Sequence, residues 1–140
     1  VVRRAHRMLE TFQRSEIYEM ITHVKRNKLP YYAELPFIYR TEKRIIHGII
    51  DTLFKHDDTW TIVDYKTSTV RGGIRNIENH ARRYHLQLGA YASAVRQEIA
   101  GQTPNVFVHY IQYNHTVSVP TAVWESEIQR LENYIGNVIG

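Results

Sequence analysis

The sequence predicts a mixed α/β domain, a central sheet flanked by helices, with its elements in the order α-β-β-β-α-β-α. Three observations point to it. The chain has 140 residues, enough for one domain with one sizeable core. Its apolar residues recur at helical spacing near both ends and in the middle, and as β-rich runs between. A polar turn of hairpin length, KHDDT, joins two of those runs, so the strands begin as a meander before a helical crossover. No internal repeat, linker or low-complexity segment divides the chain, which reads as a single domain over residues 1–140.

The first element is a helix over 3–26, with His6, Leu9, Gln13 and Ile17 near one stripe and Met8, Phe12, Met20 and Ile21 widening its apolar side. Asn27 to Pro30 ends it. Residues 31–39 read as a strand, with Pro36 marking an edge or a bulge. Strands over 44–54 and 60–66 follow. TSTVRGGIRN is a loop freed by its two glycines. Residues 77–100 read as a long helix ended by Gly101, 104–113 as a fourth strand, and 124–138 as a closing helix with Trp124, Ile128, Leu131 and Ile135 in register.

Composition excludes several functions. No apolar run approaches the roughly 20 residues needed to span a bilayer. The start, Val-Val-Arg-Arg, is no signal peptide, and without an initiating Met the sequence is expected to be part of a longer chain. Cysteine is absent, which excludes disulfides, thiolate zinc sites and cysteine-ligated iron–sulfur clusters, and fits a cytoplasmic protein. The net charge of +4 favours polyanionic partners such as nucleic acid.

The chemistry concentrates in IVDYKTS, residues 62–68. Asp64 and Lys66 stand two apart and so share one face of a strand. Spacing alone admits two readings: an ordinary ion pair, or a metal-binding carboxylate beside a cation aimed at phosphate. Asp51 lies on the preceding strand, and antiparallel pairing brings the two carboxylates together near one end of the sheet. Two such groups form a partial shell for Mg²⁺, which keeps water and substrate phosphate as its other ligands. No cysteine and no Ser-His-Asp set offers a covalent nucleophile.

Five patches in order then resemble the PD-(D/E)XK nuclease superfamily, in particular its RecB-type nuclease domain. HGIIDTLF (47–54) is similar to the family's G-x-x-D strand, IVDYKTS to its D-Y-K-T strand, and QLGAY (87–91) to its Q-x-x-x-Y helix. AELPF (33–37) is similar to the acidic-Pro-aromatic strand before them, and RRAHRMLE (3–10) to a helix that supplies a histidine. The resemblance implies a restriction-endonuclease-like core and a Mg²⁺- or Mn²⁺-dependent deoxyribonuclease, an exonuclease of DNA end processing in repair and recombination.

It also implies roles. Asp51 and Asp64 bind metal, joined by His6 and the main-chain carbonyl of Tyr65. Lys66 is the catalytic lysine, and Gln87 and Tyr91 orient it or the phosphate. Glu34 stands between support for the site and a plain surface carboxylate. Arg71, Arg75, Arg82 and Arg83 flank the glycine loop as candidates for holding the DNA backbone, against a reading as solvated surface. His80 and His85 receive no role. Lacking cysteines, the chain falls in the branch without an iron–sulfur cluster. The resemblance further implies DNA ends as partner, helicase domains of the same parent chain, a bacterial cytoplasmic setting and no membrane. Two alternatives stand beside this reading: a non-catalytic DNA-binding or scaffold domain of a helicase complex, and a nuclease for RNA or structured junctions.

Overall fold

The structure, a computed structural model, describes residues 2–139, with side-chain surroundings through residue 134. Its first departure from expectation is that residues 3–26 form two helices, α1 (Val2–Phe12) and α2 (Glu16–Arg26). Ser15 causes the break. Its Oγ accepts the Tyr18 N–H at 3.1 Å as an N-cap and donates to the Phe12 carbonyl at 2.7 Å. A short hydroxyl side chain competes with helix continuation in this way. Glu16 and Glu19 then lie in the first turn of α2 and Lys25 and Arg26 in the last, both favourable to the helix dipole. The apolar period runs through the break because the two halves bury against different partners. Phe12 meets the rings of Tyr65 and His109, while Ile17, Ile21 and Val24 pack on Phe54 and Val63. His6, Leu9 and Gln13, expected on a buried stripe with Ile17, are exposed.

The meander is as expected: β1 (Tyr31–Arg40), β2 (Ile45–His56) and β3 (Thr59–Lys66), each antiparallel to the last. The β2–β3 turn is Asp57-Asp58, with φ of 49° and 63°, the positive values that a tight two-residue hairpin requires. β3 then pairs in parallel with β4 (Asn105–Tyr110), giving a mixed sheet in the order β1-β2-β3-β4-β5. The fourth strand is shorter than expected, and the edge strand β5 (His115–Ser118) was not anticipated. A 3₁₀ turn at Ile111–Tyr113 and Asn114, with φ of 46°, reverse the chain between them. Asn is one of the few non-glycine residues that tolerates this conformation.

The long helix expected over 77–100 is also divided. Gly72 (φ 90°) and Gly73 (φ 67°) lead into a 3₁₀ turn, then α3 (Ile77–Ala81), a second 3₁₀ turn at Arg82–Tyr84, and α4 (His85–Glu98). Ile77, Ala81, Leu88 and Ala92 are all fully buried, so one apolar stripe passes through the tightened turn and the sequence period does not register it. The closing helix α5 begins at Thr121, just after Pro120, rather than at Trp124. Trp124 and Ile128 are buried as expected, and Ile135 lies outside the side chains described. α4 and α5 cross closely at Gly89, where a Cβ would stand 2.9 Å from the Trp124 carbonyl. One face of the sheet (Ile50, Ile62, Val106, Val108) therefore packs on α3, α4 and α5, and the other (Phe54, Val63) on α2.

Candidate active site

The β2–β3 ladder runs out to Thr52 opposite Val63, and Asp51 and Asp64 are the next residues on each strand. On the other side of β2, the pairs Ala33–Thr52 and Leu35–Ile50 flank Glu34 and Asp51. The alternation of side chains shifts here. Ile50 and Leu53 are three residues apart yet share the core under α4, and Tyr31 and Leu35 are four apart yet lie in cores on opposite faces. Glu34, with φ of 51°, absorbs the shift on β1. Such a backbone costs about 1–3 kcal/mol and collects at functional sites. Both strands shift together, so the register survives while Asp51 leaves the regular ladder. Its Oδ2 accepts the Tyr65 N–H at 2.9 Å, pinning the carboxylate to β3.

Asp64 shares a face with Ile62 and is 3% exposed. Burial pushes its carboxyl up to about 6, partly opposed by Lys66 and reinforced by the neighbouring Asp51. Lys66 Nζ stands 2.8 Å from Asp64 Oδ2. The ammonium covers one side of this buried oxygen, and a carboxylate oxygen, with two lone pairs, can take a further ligand. A buried carboxylate oxygen that can take a further ligand, beside a second carboxylate, suits a hard divalent cation such as Mg²⁺ or Mn²⁺. Among the described residues no group of three or more His, Cys, Asp or Glu side chains is gathered for a metal. The two aspartates fit such an ion as a partial shell that water and a phosphate complete.

α4 supplies the roof. Tyr91 is 5% exposed, its hydroxyl pushed up to about 12 by burial and then by Asp64 and Asp51, with hydrogen bonding to Gln87 working the other way. It therefore keeps its proton at neutral pH and can donate a hydrogen bond close to both carboxylates. Gln87, one turn earlier, is exposed. The Phe37 ring meets Tyr91 edge-on at 4.8 Å, and Phe37 lies where a Cβ on Gly48 would fall 2.2 Å from its Cε1. The glycine of the G-x-x-D strand is thus the space that lets Phe37 brace Tyr91.

Sequence reasoning missed the wall opposite. Lys66 Nζ stands 3.9 Å from the centre of the Tyr84 ring. His80, buried and given no role by the sequence, has Nδ1 2.7 Å from the Tyr110 hydroxyl, and Tyr110 is the β4 register partner of Lys66. Its imidazole is held below the usual range by burial, then by Arg83 and Lys66. The spacing His80, Tyr84, Gln87, Tyr91 was the available signal, but it is equally that of a helix packing on a sheet.

The remaining predicted residues lie further out. His6 is exposed on α1, its Nε2 3.0 Å from a Glu10 carboxylate oxygen, and the structure does not gather it with Asp51 and Asp64. Arg71, Arg75, Arg82, Arg83 and Glu34 are exposed. The Tyr65 ring packs against Phe12 at 5.7 Å on the α2 face, away from Lys66.

Known proteins share this chain's family and fold. The family model of the PD-(D/E)XK nuclease superfamily matches residues 1–136. An ATP-dependent helicase/nuclease subunit from Thermoanaerobacter sp. (strain X514) is 30% identical over 99 residues, 71% of this chain and 8% of that protein. The protein of the same name from Clostridium perfringens (strain 13 / Type A) is 28% identical over 92 residues, 59% of this chain and 7% of that protein. The chain thus spans less than a tenth of the relatives it matches. A crystal structure of a candidate exonuclease from Eubacterium rectale superposes on 87% of this chain and 51% of its own with a TM-score of 0.55 at 14% identity, a likeness of fold. With the family model covering nearly its whole length and the D-Y-K strand at the mouth of the sheet, the chain belongs to the PD-(D/E)XK nuclease superfamily.

Proposed function

We propose that this chain is a divalent-metal-dependent deoxyribonuclease domain, an exonuclease that trims DNA ends. The observation that carries the reading is the Lys66 ammonium held 2.8 Å from Asp64, beside an Asp51 pinned by the Tyr65 N–H. A structural ion pair needs no second carboxylate beside it. Asp51 and Asp64 would hold Mg²⁺ or Mn²⁺. When bound, such an ion supplies Lewis acidity toward a phosphate oxygen. Lys66 stabilises the negative charge that builds on the phosphate as it is attacked. Tyr91 and Gln87 orient the lysine or a phosphate oxygen, Tyr91 as a neutral donor. Arg83, exposed and close enough to His80 and Tyr110 to shift both, holds the backbone of the entering strand.

The name those relatives carry, helicase/nuclease, supports a parent chain in which motor domains deliver the strand, and a bacterial cytoplasmic setting belongs to the same proposal. The test is cleavage of end-labelled single- and double-stranded DNA with Mg²⁺, Mn²⁺ or chelator, comparing the chain with Asp64→Asn and Lys66→Ala. Metal-dependent cutting that both substitutions abolish in folded protein is the expected result, and the fate of the label gives polarity. DNA binding without cutting, in either metal, would point instead to a scaffold domain.

A further inference from the structure

We propose that the cavity between α1 and the turn after β4 is a second nucleic-acid site, one that grips the phosphate backbone of the strand engaged at Lys66. The proposal rests on the nuclease reading above and assigns residues that the sequence motifs leave out. Arg3, Arg4, Arg7 and Thr11 of α1, with Ile111 and Gln112 from the turn, line an open cavity of about 460 Å³. Three guanidiniums on one wall is a dense positive charge for a chain of net charge +4. Among the described residues none of the three is paired with a carboxylate, and Glu10, the acid on the same helix, is taken by His6.

The floor of the cavity is tied to the catalytic strand. Tyr110 is the parallel register partner of Lys66, and Gln112 follows it by two residues. Gln112 Oε1 accepts a hydrogen bond from Thr69 Oγ1 at 3.0 Å, which holds the amide and leaves its N–H groups free to donate. The Val70 N–H donates to the Tyr113 hydroxyl at 2.9 Å. The segment leaving Lys66 is therefore joined to the turn that lines the cavity opposite α1. Both lie at the C-terminal ends of two parallel strands, where ligands of α/β sheets gather.

The chemistry selects the ligand. Guanidiniums match phosphate oxygens in a bidentate way, and an open cavity without an aromatic ring has no platform for stacking bases. It fits a phosphodiester backbone read without regard to sequence. Phe12, at the end of α1, packs on Tyr65, whereas Lys66 faces Tyr84 in the turn before α4, so a strand held by both sites runs across the end of the sheet from the Arg83 side to the α1 side.

The test is fluorescence anisotropy of a labelled single-stranded oligonucleotide in chelator, across a salt series. Each arginine neutralised in the contact lowers the slope of log affinity against log salt by about 0.7 for single strands. The triple variant Arg3→Gln/Arg4→Gln/Arg7→Gln should lose about 2 from that slope, and the triple Lys variant at the same positions should keep most of it. A control that removes three exposed cations elsewhere, Arg26→Gln/Lys28→Gln/Lys43→Gln, should move it by less than about 0.7. An unchanged slope in the folded Arg3→Gln/Arg4→Gln/Arg7→Gln variant, or an equal loss in the Arg26→Gln/Lys28→Gln/Lys43→Gln control, overturns the proposal while leaving the nuclease reading intact. Displacement of the oligonucleotide from wild type by low inorganic phosphate at matched ionic strength would mark a small-anion site and overturn it too. A wild type that neither binds nor cuts nucleic acid brings down both readings.

Discussion

The Lys66 ammonium stands 3.9 Å from the centre of the Tyr84 ring while its other side meets Asp64 at 2.8 Å. A lysine on four rotatable carbons is otherwise hard to aim, and it has two restraints here, one ionic and one aromatic. If the ring aims the lysine, Tyr84→Leu should lower kcat by about tenfold, the equivalent of about 1.4 kcal/mol at the transition state. Tyr84→Phe keeps the π face and should stay within about threefold of wild type. Steady-state kinetics on end-labelled DNA separates the cases, because positioning moves kcat and leaves KM nearly where it was. Equal losses in both variants would assign the work to the hydroxyl instead.

Asp64 bears on stability in the opposite sense to catalysis. Its carboxyl, raised to about 6 chiefly by burial, binds its proton more tightly in the folded chain than in the unfolded one. Its contribution to stability is therefore greatest in acid, falls as pH rises from about 4 to about 6, and stays low above. His109 acts the other way. It is fully buried, its imidazole held below 6.5 by burial and then by His115, so its share is present above pH 6.5 and is lost as pH falls below it. In metal-free protein the two trends oppose each other. Asp64→Asn should gain up to about 3 kcal/mol at pH 7 in chelator and should lose stability steadily on acidification, since only the histidine trend remains. Urea unfolding from pH 4 to 8 reads both effects.

The legible parts of this fold were those written in local chemistry. Asp57-Asp58 between two β-rich runs gave the hairpin, and antiparallel pairing of those runs brought Asp51 to Asp64 as the spacing implied. Illegible were the breaks at Ser15 and at Arg82–Tyr84, because an apolar period that serves two packing partners runs through a break unchanged. β5 was missed because four residues carry too little alternation to stand out from a turn. In the site, Tyr84 and His80 were hidden for another reason. Their importance depends on which face of the helix meets Lys66, and that is settled by tertiary packing.

Gly48 shows what a motif glycine does in this chain. A methyl group there would meet Phe37 Cε1 at 2.2 Å, and Phe37 is the edge-on neighbour of Tyr91. Gly48→Ala should therefore cost about 1–3 kcal/mol of stability through overpacking. It should also lower activity beyond what lost folding explains, since the displaced ring no longer braces Tyr91. Pairing it with Phe37→Leu, which frees the space, should recover most of the stability and little of the activity. Thermal melts and single-turnover cleavage at a temperature where every variant is folded check the two halves separately.

Metal addition tests which side chains hold the ion without relying on cleavage. An ion that binds only the folded chain stabilises it by mass action, about 2.7 kcal/mol at a hundredfold excess over Kd, or a rise of about 5–10 °C in Tm for a domain of this size. Asp51→Asn and Asp64→Asn each remove a charged oxygen donor and should abolish most of the rise with Mg²⁺ and with Mn²⁺. His6 is exposed, 3.0 Å from Glu10, and outside any cluster of metal-binding side chains among the described residues. His6→Ala should therefore keep the Mg²⁺ rise, because imidazole is a poor ligand for so hard an ion. Mn²⁺ is the sharper probe, since imidazole suits it better. A Mn²⁺ rise that His6→Ala cuts sharply, while the Mg²⁺ rise survives, would mean that α1 swings toward the carboxylates when the ion arrives, carrying Arg3, Arg4 and Arg7 with it.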